Sequence, residues 1–409
     1  MNILMLGRWL TPPRYPLKLT REYQFGHHLG QKHRLTLAFT TDRPNAIGPI
    51  STLRAEFGEL EFATVPRAWK ALLSALRLAT GESCTLSYSR SEALQTRLAD
   101  RLKSTPFGVV FVTSSSMIPY ALNTDPAIPL VVDFADLDSQ WWIHQAERSP
   151  FPGTRFFRTE ATRLRAAESL AARRAAHCLV ASAEAADIVT SFQPSGPVTI
   201  VKSGVDVNVP ATGGGRAEPP TIVLNTSLGG KRDANDAFEF YRRVMSLLRP
   251  RVPEVRLVVT SHEAPVSSDL TGTRSGLDVR APRPDVRPIL QRATLAVAPL
   301  WSGTEVRHSV LLPMAAGLPL VATSRAARAV GAEVDRDLLV ADQPEDFAEK
   351  ILQLLQNPGL RAELGERGRS FVSMQYAWSV VTANLNEIVE SVVKAGTSEA
   401  TKPEAALPA

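Results

Sequence analysis

The sequence predicts an α/β protein made of two doubly wound parallel sheets. Three observations predict it. Short apolar, β-branched runs alternate with longer amphipathic stretches, the pattern of strands covered by helices. The alternation stops once, at a Gly- and Pro-rich segment, and then restarts. The chain has 409 residues, enough for two domains of ordinary size.

In the first half the strand runs are NILMLG (2–7), RLTLAFT (34–40), GVVFVTSS (108–115), PLVVDFAD (129–136), HCLVAS (177–182) and VTIVKSG (198–204). VDVNVPATGGGRAEPP, residues 205–220, has little periodicity and reads as a linker. Strands resume with TIVLNTS (221–227), VRLVVTS (255–261), LDVRA (277–281), TLAVAPL (294–300), LPLVATS (318–324) and DLLVAD (337–342). The domains expected are therefore 1–204 and 221–375, joined by 205–220. A helix over 376–394 is expected to pack back on the first domain, and 395–409 has the composition of a disordered tail. Two such sheets place a cleft between them, with ligands at the carboxyl ends of the strands. RTEATRLRAAESLAARRAAH (158–177) is strongly helical in composition, and QPEDFAEKILQLLQN (343–357) is an amphipathic helix with an acidic first turn.

Composition narrows the function classes. The two cysteines, Cys84 and Cys178, exclude a disulfide framework and a Cys-rich metal site, and they fit a reducing compartment. No apolar run approaches the ~20 residues of a membrane span. NILML is too short for the core of a signal peptide. The expected location is cytoplasmic, with peripheral membrane contact left open. The net charge is +5, and residues 1–210 carry the whole excess. That asymmetry suits an anionic surface or an acidic acceptor, although a charge this small also simply serves solubility. The basic residues are scattered and form no nucleic-acid motif. No Gly-x-Gly-x-x-Gly follows a strand with an acid at dinucleotide spacing, and no Gly-x-Ser-x-Gly is present, which leaves little room for an oxidoreductase or a Ser hydrolase.

Several segments carry candidate chemistry. SLGGKRD (227–233) follows a strand and precedes a helix. Gly229 and Gly230 let a backbone approach a phosphate, and Lys231 and Arg232 supply charge; an ordinary Gly-Gly turn with solvated cations has the same composition. In WSGTEVRHSVLLPMAAG (301–317), Ser302, Gly303 and Thr304 can present N–H groups at a helix start, with Glu305, Arg307 and His308 beside them. A scaffold loop with surface charges is the alternative. Asp136 and Asp138 follow the strand VVDF. Trp141 and Trp142 can stack on a sugar or pack a core. Arg158, Glu160, Arg163 and Glu168 have the spacing of a solvated helix face with i,i+4 pairs. His27, His28 and His33 lack a third ligand at metal spacing and read as surface or packing residues.

Across nearly its whole length, about residues 2–394, the chain resembles GT-B glycosyltransferases of the large group-1 (family 4) class. Within that class it is most similar to sugar transferases of exosortase/PEP-CTERM exopolysaccharide loci. The likeness rests on GRWLTPPRYPLKLTREYQFGHHL near the start, VVDFADLDSQWW (131–142), FRTEATRLRAAESLAARRAAHCLVASAEAADIV (157–189), SGVDV (203–207), PDVRPILQRATLAVAPL (284–300) and MAAGLPLVAT (314–323). It implies two Rossmann-like domains facing a cleft. It implies transfer of a hexose-type sugar from a nucleotide-diphosphate donor to a glycan, lipid-linked or small-molecule acceptor, with retention and with neither metal nor cofactor. Gly229, Gly230, Lys231, Arg232, Ser302, Gly303, Thr304, Glu305, Arg307 and His308 then fall on the donor side. Asp136 and Asp138 fall at the reacting centre, and Arg8, Arg14, Lys18 and Trp141 on the acceptor side. Three positions depart from the pattern. Counting back from Gly317, Leu312 stands where a ribose-holding glutamate belongs, Ser309 where a lysine is common, and Pro16 where a loop glycine is expected. Those departures imply a second reading: a non-catalytic partner or activator, or a chain repurposed for an unusual donor or nucleophile.

Overall fold

A computed structural model describes residues 1–7, 21–41, 47–65, 81–135, 137–148, 150–208, 219–226, 231–261, 273–274, 276–280, 285–301 and 307–400. Among them, 1–202 and 382–400 form one compact unit and 203–381 another.

The first unit is a seven-stranded parallel sheet. Its strands are β1 (Asn2–Gly7), β2 (Arg34–Thr41), β3 (Glu59–Thr64), β4 (Val109–Val112), β5 (Leu130–Phe134), β6 (His177–Val180) and β7 (Val198–Ile200). They lie in the order β3-β2-β1-β4-β5-β6-β7, with Leu4 opposite both Thr36 and Val110. Because both faces are covered, alternate residues of one strand feed opposite cores, and the strand reads as continuously apolar. Leu4, Leu6, Val110, Val112, Val132 and Phe134 share one face with Leu94, Ile118 and Ala172. On β1 the intervening Ile3 and Met5 are equally buried.

Helices needed below are α1 (Arg21–Gly30), α2 (Ile47–Phe57), α3 (Cys84–Ser89), α4 (Asp138–Arg148) and α5 (Gly153–Arg174). α5 begins five residues before the run 158–177 read from sequence and ends three residues before its end.

The second unit has six parallel strands and a two-residue antiparallel one at the edge. They are β8 (Thr221–Asn225), β9 (Arg256–Thr260), β10 (Thr273–Arg274), β11 (Leu277–Arg280), β12 (Leu295–Ala298), β13 (Leu320–Ala322) and β14 (Leu339–Val340), in the order β10-β11-β9-β8-β12-β13-β14. Ile222, Leu224, Leu257, Leu295 and Val297 pack on one side with Phe240, Phe347 and Ile351. Val223, Val258, Ala296 and Ala298 pack on the other. Its helices include α6 (Lys231–Glu239), α7 (Leu312–Ala315), α8 (Pro344–Gln356) and α9 (Pro358–Tyr376).

Gly317, at φ 75°, turns the chain from α7 into β13, a conformation that favours glycine. A Cβ on Gly365 of α9 would sit 2.3 Å from the Gly317 carbonyl oxygen, so this contact also requires a bare glycine.

The last helix, α10, runs Leu385–Ala400 and belongs to the first unit. It starts later and ends later than the 376–394 helix read from sequence, because α9 occupies residues up to Tyr376. Asn386 Nδ2 lies 3.0 Å from His28 Nε2, and His33 Nε2 lies 3.7 Å from a Glu390 oxygen. Of the linker, residues 205–208 and 219–220 are described. Val205 N donates to the Tyr376 carbonyl at 2.8 Å, which anchors the linker's first residue within the second unit.

Candidate active site

Each sheet has one place where the winding reverses, and in open α/β sheets that is where ligands bind. In the second unit this is the pair β8 and β12, joined in parallel with Leu295 opposite Ile222 and Ala296 opposite Val223. After β8 the chain passes through 227–230 into α6, whose first residues are Lys231 and Arg232. After β12 it passes through 302–306 into a helical turn that opens with Arg307 and His308. The two segments that the sequence reading put on the donor side therefore follow neighbouring parallel strands. Gly229, Gly230, Ser302, Gly303, Thr304 and Glu305 themselves lie outside the described residues.

The entry to the second of these segments is pinned. Trp301 Nε1 donates to the Asp342 carbonyl at 2.8 Å, and its ring meets Phe347 edge-on at 5.7 Å. Asp342 in turn accepts from Ser324 N at 2.9 Å. Residues 307–311 form a π-helical turn, a wide geometry often found at functional sites. Ser309, Val310, Leu311 and Leu312 are all buried. Leu312 is 2% exposed in an apolar cluster with Leu290, Val310, Met314 and Leu318. Leu312, which the sequence reading set at the place of a ribose-holding glutamate, is a core side chain in this protein.

In the first unit the reversal falls between β1 and β4. The segment after β1, with Arg8, Arg14, Pro16 and Lys18, lies outside the described residues. After β4 come Thr113 and the 3₁₀ turn Ser115–Met117. After β5 come Asp136, also outside the described residues, and Asp138, which opens α4.

Here the sequence reading of α5 needs correction. Glu160 and Glu168 are fully buried rather than part of a solvated face. Glu160 accepts from Ser83 Oγ at 2.6 Å and from Cys84 N and Thr85 N at 2.9 Å, which caps α3. Glu168 accepts from Ser115 Oγ at 2.9 Å and from Ser139 N at 3.1 Å and Oγ at 2.5 Å, which fixes the start of α4. Burial pushes the Glu168 carboxyl above the usual carboxylate range; its three hydrogen bonds resist the shift, and the charge of nearby Asp138 adds to it. Glu168 thus joins the turn after β4 to the helix that carries Asp138 and Trp141. A helix pattern cannot distinguish a glutamate facing water from one facing donors elsewhere in the chain.

A second buried pair escaped the sequence reading. Arg21 Nε and Nη2 grip Asp133 at 2.7 and 2.9 Å, and Nη1 donates to the Val201 and Lys202 carbonyls. The signal was a lone acid inside the apolar run LVVDF, which demands a partner once buried.

Trp142 is the packing member of its pair, meeting Phe156 and Phe157 and donating to Thr85 Oγ1 at 3.2 Å. Trp141 stands edge-on to it at 4.8 Å and is 54% exposed, leaving ring surface for stacking. Burial pushes the thiols of Cys84 and Cys178 up to about 11 and about 12, so neither supplies a thiolate nucleophile near neutrality. His27 pairs with Glu56 at 2.9 Å on the surface of α1 and α2. Among the described residues no group of three or more His, Cys, Asp and Glu could hold a metal ion, and no helix is long and apolar enough to cross a membrane.

Residues 222–357, most of the second sheet with the β8 and β12 segments, match the family model of glycosyl transferases group 1. Solved structures match along the whole chain. A sucrose-phosphate synthase from Thermosynechococcus elongatus superposes with a TM-score of 0.64 at 12% identity, covering 96% of this chain and 99% of that one. The chain has the GT-B fold. Anabaena HepE in complex with UDP gives a TM-score of 0.61 at 14% identity, over 96% of this chain and 100% of that one. A mutant of S. aureus TarM, in complex with UDP among other ligands, gives 0.61 at 12% identity, over 95% of this chain and 99% of that one. No curated protein sequence matches this GT-B chain significantly.

Proposed function

We propose that this GT-B chain is a glycosyltransferase. It moves a hexose-type sugar from a nucleotide-diphosphate donor to a glycan, lipid-linked or small-molecule acceptor, with retention and without a bound metal ion. The observation that supports this reading is the parallel pairing of β8 with β12, since in sequence a cation-bearing segment leading into a helix follows each of these strands. Helix-start N–H groups, Lys231, Arg232, Arg307 and His308 can then stabilise the departing diphosphate. Asp138, with Asp136 close in sequence, orients the acceptor hydroxyl, and Trp141 stacks on an acceptor sugar. Arg8, Arg14 and Lys18 bind the acceptor's polar groups. UDP is the first nucleotide to try, because Anabaena HepE was solved with UDP and with UDP-glucose. The likeness to exosortase/PEP-CTERM transferases makes polysaccharide assembly in the cytoplasm the expected setting.

The test is calorimetry against UDP, GDP, dTDP and ADP. Micromolar binding of one nucleotide, weakened at least tenfold in the K231A/R232A double variant, supports the transferase. Absence of binding by the folded protein sinks it. It would favour the second reading, a partner or repurposed chain, for which the burial of Leu312 is the supporting observation.

A further inference from the structure

α5 has eight charged side chains: Arg155, Arg158, Glu160, Arg163, Arg165, Glu168, Arg173 and Arg174. Both glutamates are buried and face inward on their donors. What the helix presents to solvent is therefore positive only. Its exposed positions, Arg155, Arg158, Thr162, Arg165, Ala166, Leu170 and Arg173, recur every three or four residues and so fall on one stripe. From Arg155 to Arg173 that stripe extends about 27 Å along the helix.

The charge on the stripe is not cancelled. Arg155 and Arg158 have no ion pair among the described residues. Arg165 and Arg173 reach neutral partners, the Ser191 hydroxyl and the Phe192 carbonyl. Beside this charge lie apolar side chains in water. Phe151 is 79% exposed and Leu170 is 57% exposed. Phe151, Arg155, Arg158 and Thr162 line a shallow open groove of about 350 Å³.

We propose that the outward face of α5 docks on an anionic lipid bilayer. Arg155 and Arg158 take lipid phosphates in the groove, Phe151 enters the interfacial layer, and the remaining arginines align along the headgroups. Charge complementarity selects an anionic surface. The exposed Phe151 in the same groove selects a bilayer over a soluble polyanion, since an aromatic ring gains from burial only where an apolar phase is present. The inference does not depend on the transferase reading, and vesicle binding is measured without a nucleotide.

The experiment is co-sedimentation of the full chain with phosphatidylcholine vesicles, with and without phosphatidylglycerol, at low salt. Expected is binding to the phosphatidylglycerol vesicles alone. Loss of two interfacial arginines should lower the partition coefficient roughly 30-fold, and R155E/R158E by at least that. F151S should lower it about tenfold while leaving binding to heparin unchanged. All three positions are exposed, so thermal unfolding should be unaltered and a failure to bind cannot be ascribed to misfolding. No binding to phosphatidylglycerol vesicles overturns the proposal, as does undiminished binding by R155E/R158E. Binding to heparin without binding to vesicles also overturns it, in favour of a soluble polyanion.

Discussion

α5 in the first unit buries two carboxylates, whereas the helix after β12 in the second buries Leu312. Around Glu160 and Glu168 the chain brings three donors each, from segments 29 to 77 residues away. Around Leu312 it brings Val310, Met314, Leu290 and Leu318. A buried carboxylate is tolerated where hydrogen-bond donors converge and is expelled or neutralised where they do not. The difference teaches that Glu160 and Glu168 are buried because each anchors a helix start. In the second unit no such donors surround Leu312, and an apolar side chain fills the position.

Placing an acid at the apolar position is the sharpest way to break this contrast. Leu312→Glu should lose the leucine's burial and force a carboxyl to stay protonated, together about 5 kcal/mol at neutral pH by chemical denaturation. Leu312→Met should cost under about 1.5 kcal/mol. A stable Leu312→Glu protein with tighter nucleotide binding would show that the position faces a ligand after all.

Next in size is the other buried charge pair. Arg21→Ala strands Asp133 and should cost about 3–5 kcal/mol, whereas Arg21→Met with Asp133→Leu should cost clearly less. Equal losses would mean that the pair itself, rather than the stranded charge, carries the stability.

The two glutamates should then separate. Both Glu160 oxygens accept backbone N–H groups, so the amide of Glu160→Gln faces a donor and should lose about 2 kcal/mol. Glu168→Gln can donate to Ser139 Oγ, whose hydroxyl can turn, and should lose less than about 1 kcal/mol. Burial raises the Glu168 pKa in the folded protein, so the folded form binds that proton more tightly than the unfolded chain. The stability it costs therefore grows as pH rises through that window, and Glu168→Gln should flatten the trend.

The smallest effect is at the histidines. Burial lowers His28, His33 and His177 below their ordinary value of 6.5. The unfolded chain then takes up their protons first, so this stability is complete above about pH 6.5 and declines as pH falls through and below it. His28→Gln should reduce the acid sensitivity of the melting temperature; an unaltered pH profile would remove His28 from this account.

Strands buried on both faces were easy to read, because a continuous apolar run such as RLVVT has few other uses. β3 was hidden: ELEFAT carries Glu59 and Glu61, which an edge strand can hold by pairing with Arg34 and Arg101. The glycine turn at 317 was legible from MAAGLP, since only the chain's own φ is involved. The partners of Glu160, Glu168 and Asp133 were not. Their donors come from distant segments, and local periodicity carries no record of a long-range contact. For the same reason Leu312 could be flagged as an unusual residue but not placed in a core.

The helix at 385–400 bears on how the protein is made. Leu385, Val389 and Val392 are buried in the first unit, whose remaining residues end at Lys202. On the ribosome, all of residues 203–381 emerge before the segment that completes the unit begun at Met1. A nascent chain that has just released residue 202 still exposes the apolar seat of the helix at 385–400, and must keep it from other chains until that helix has been made.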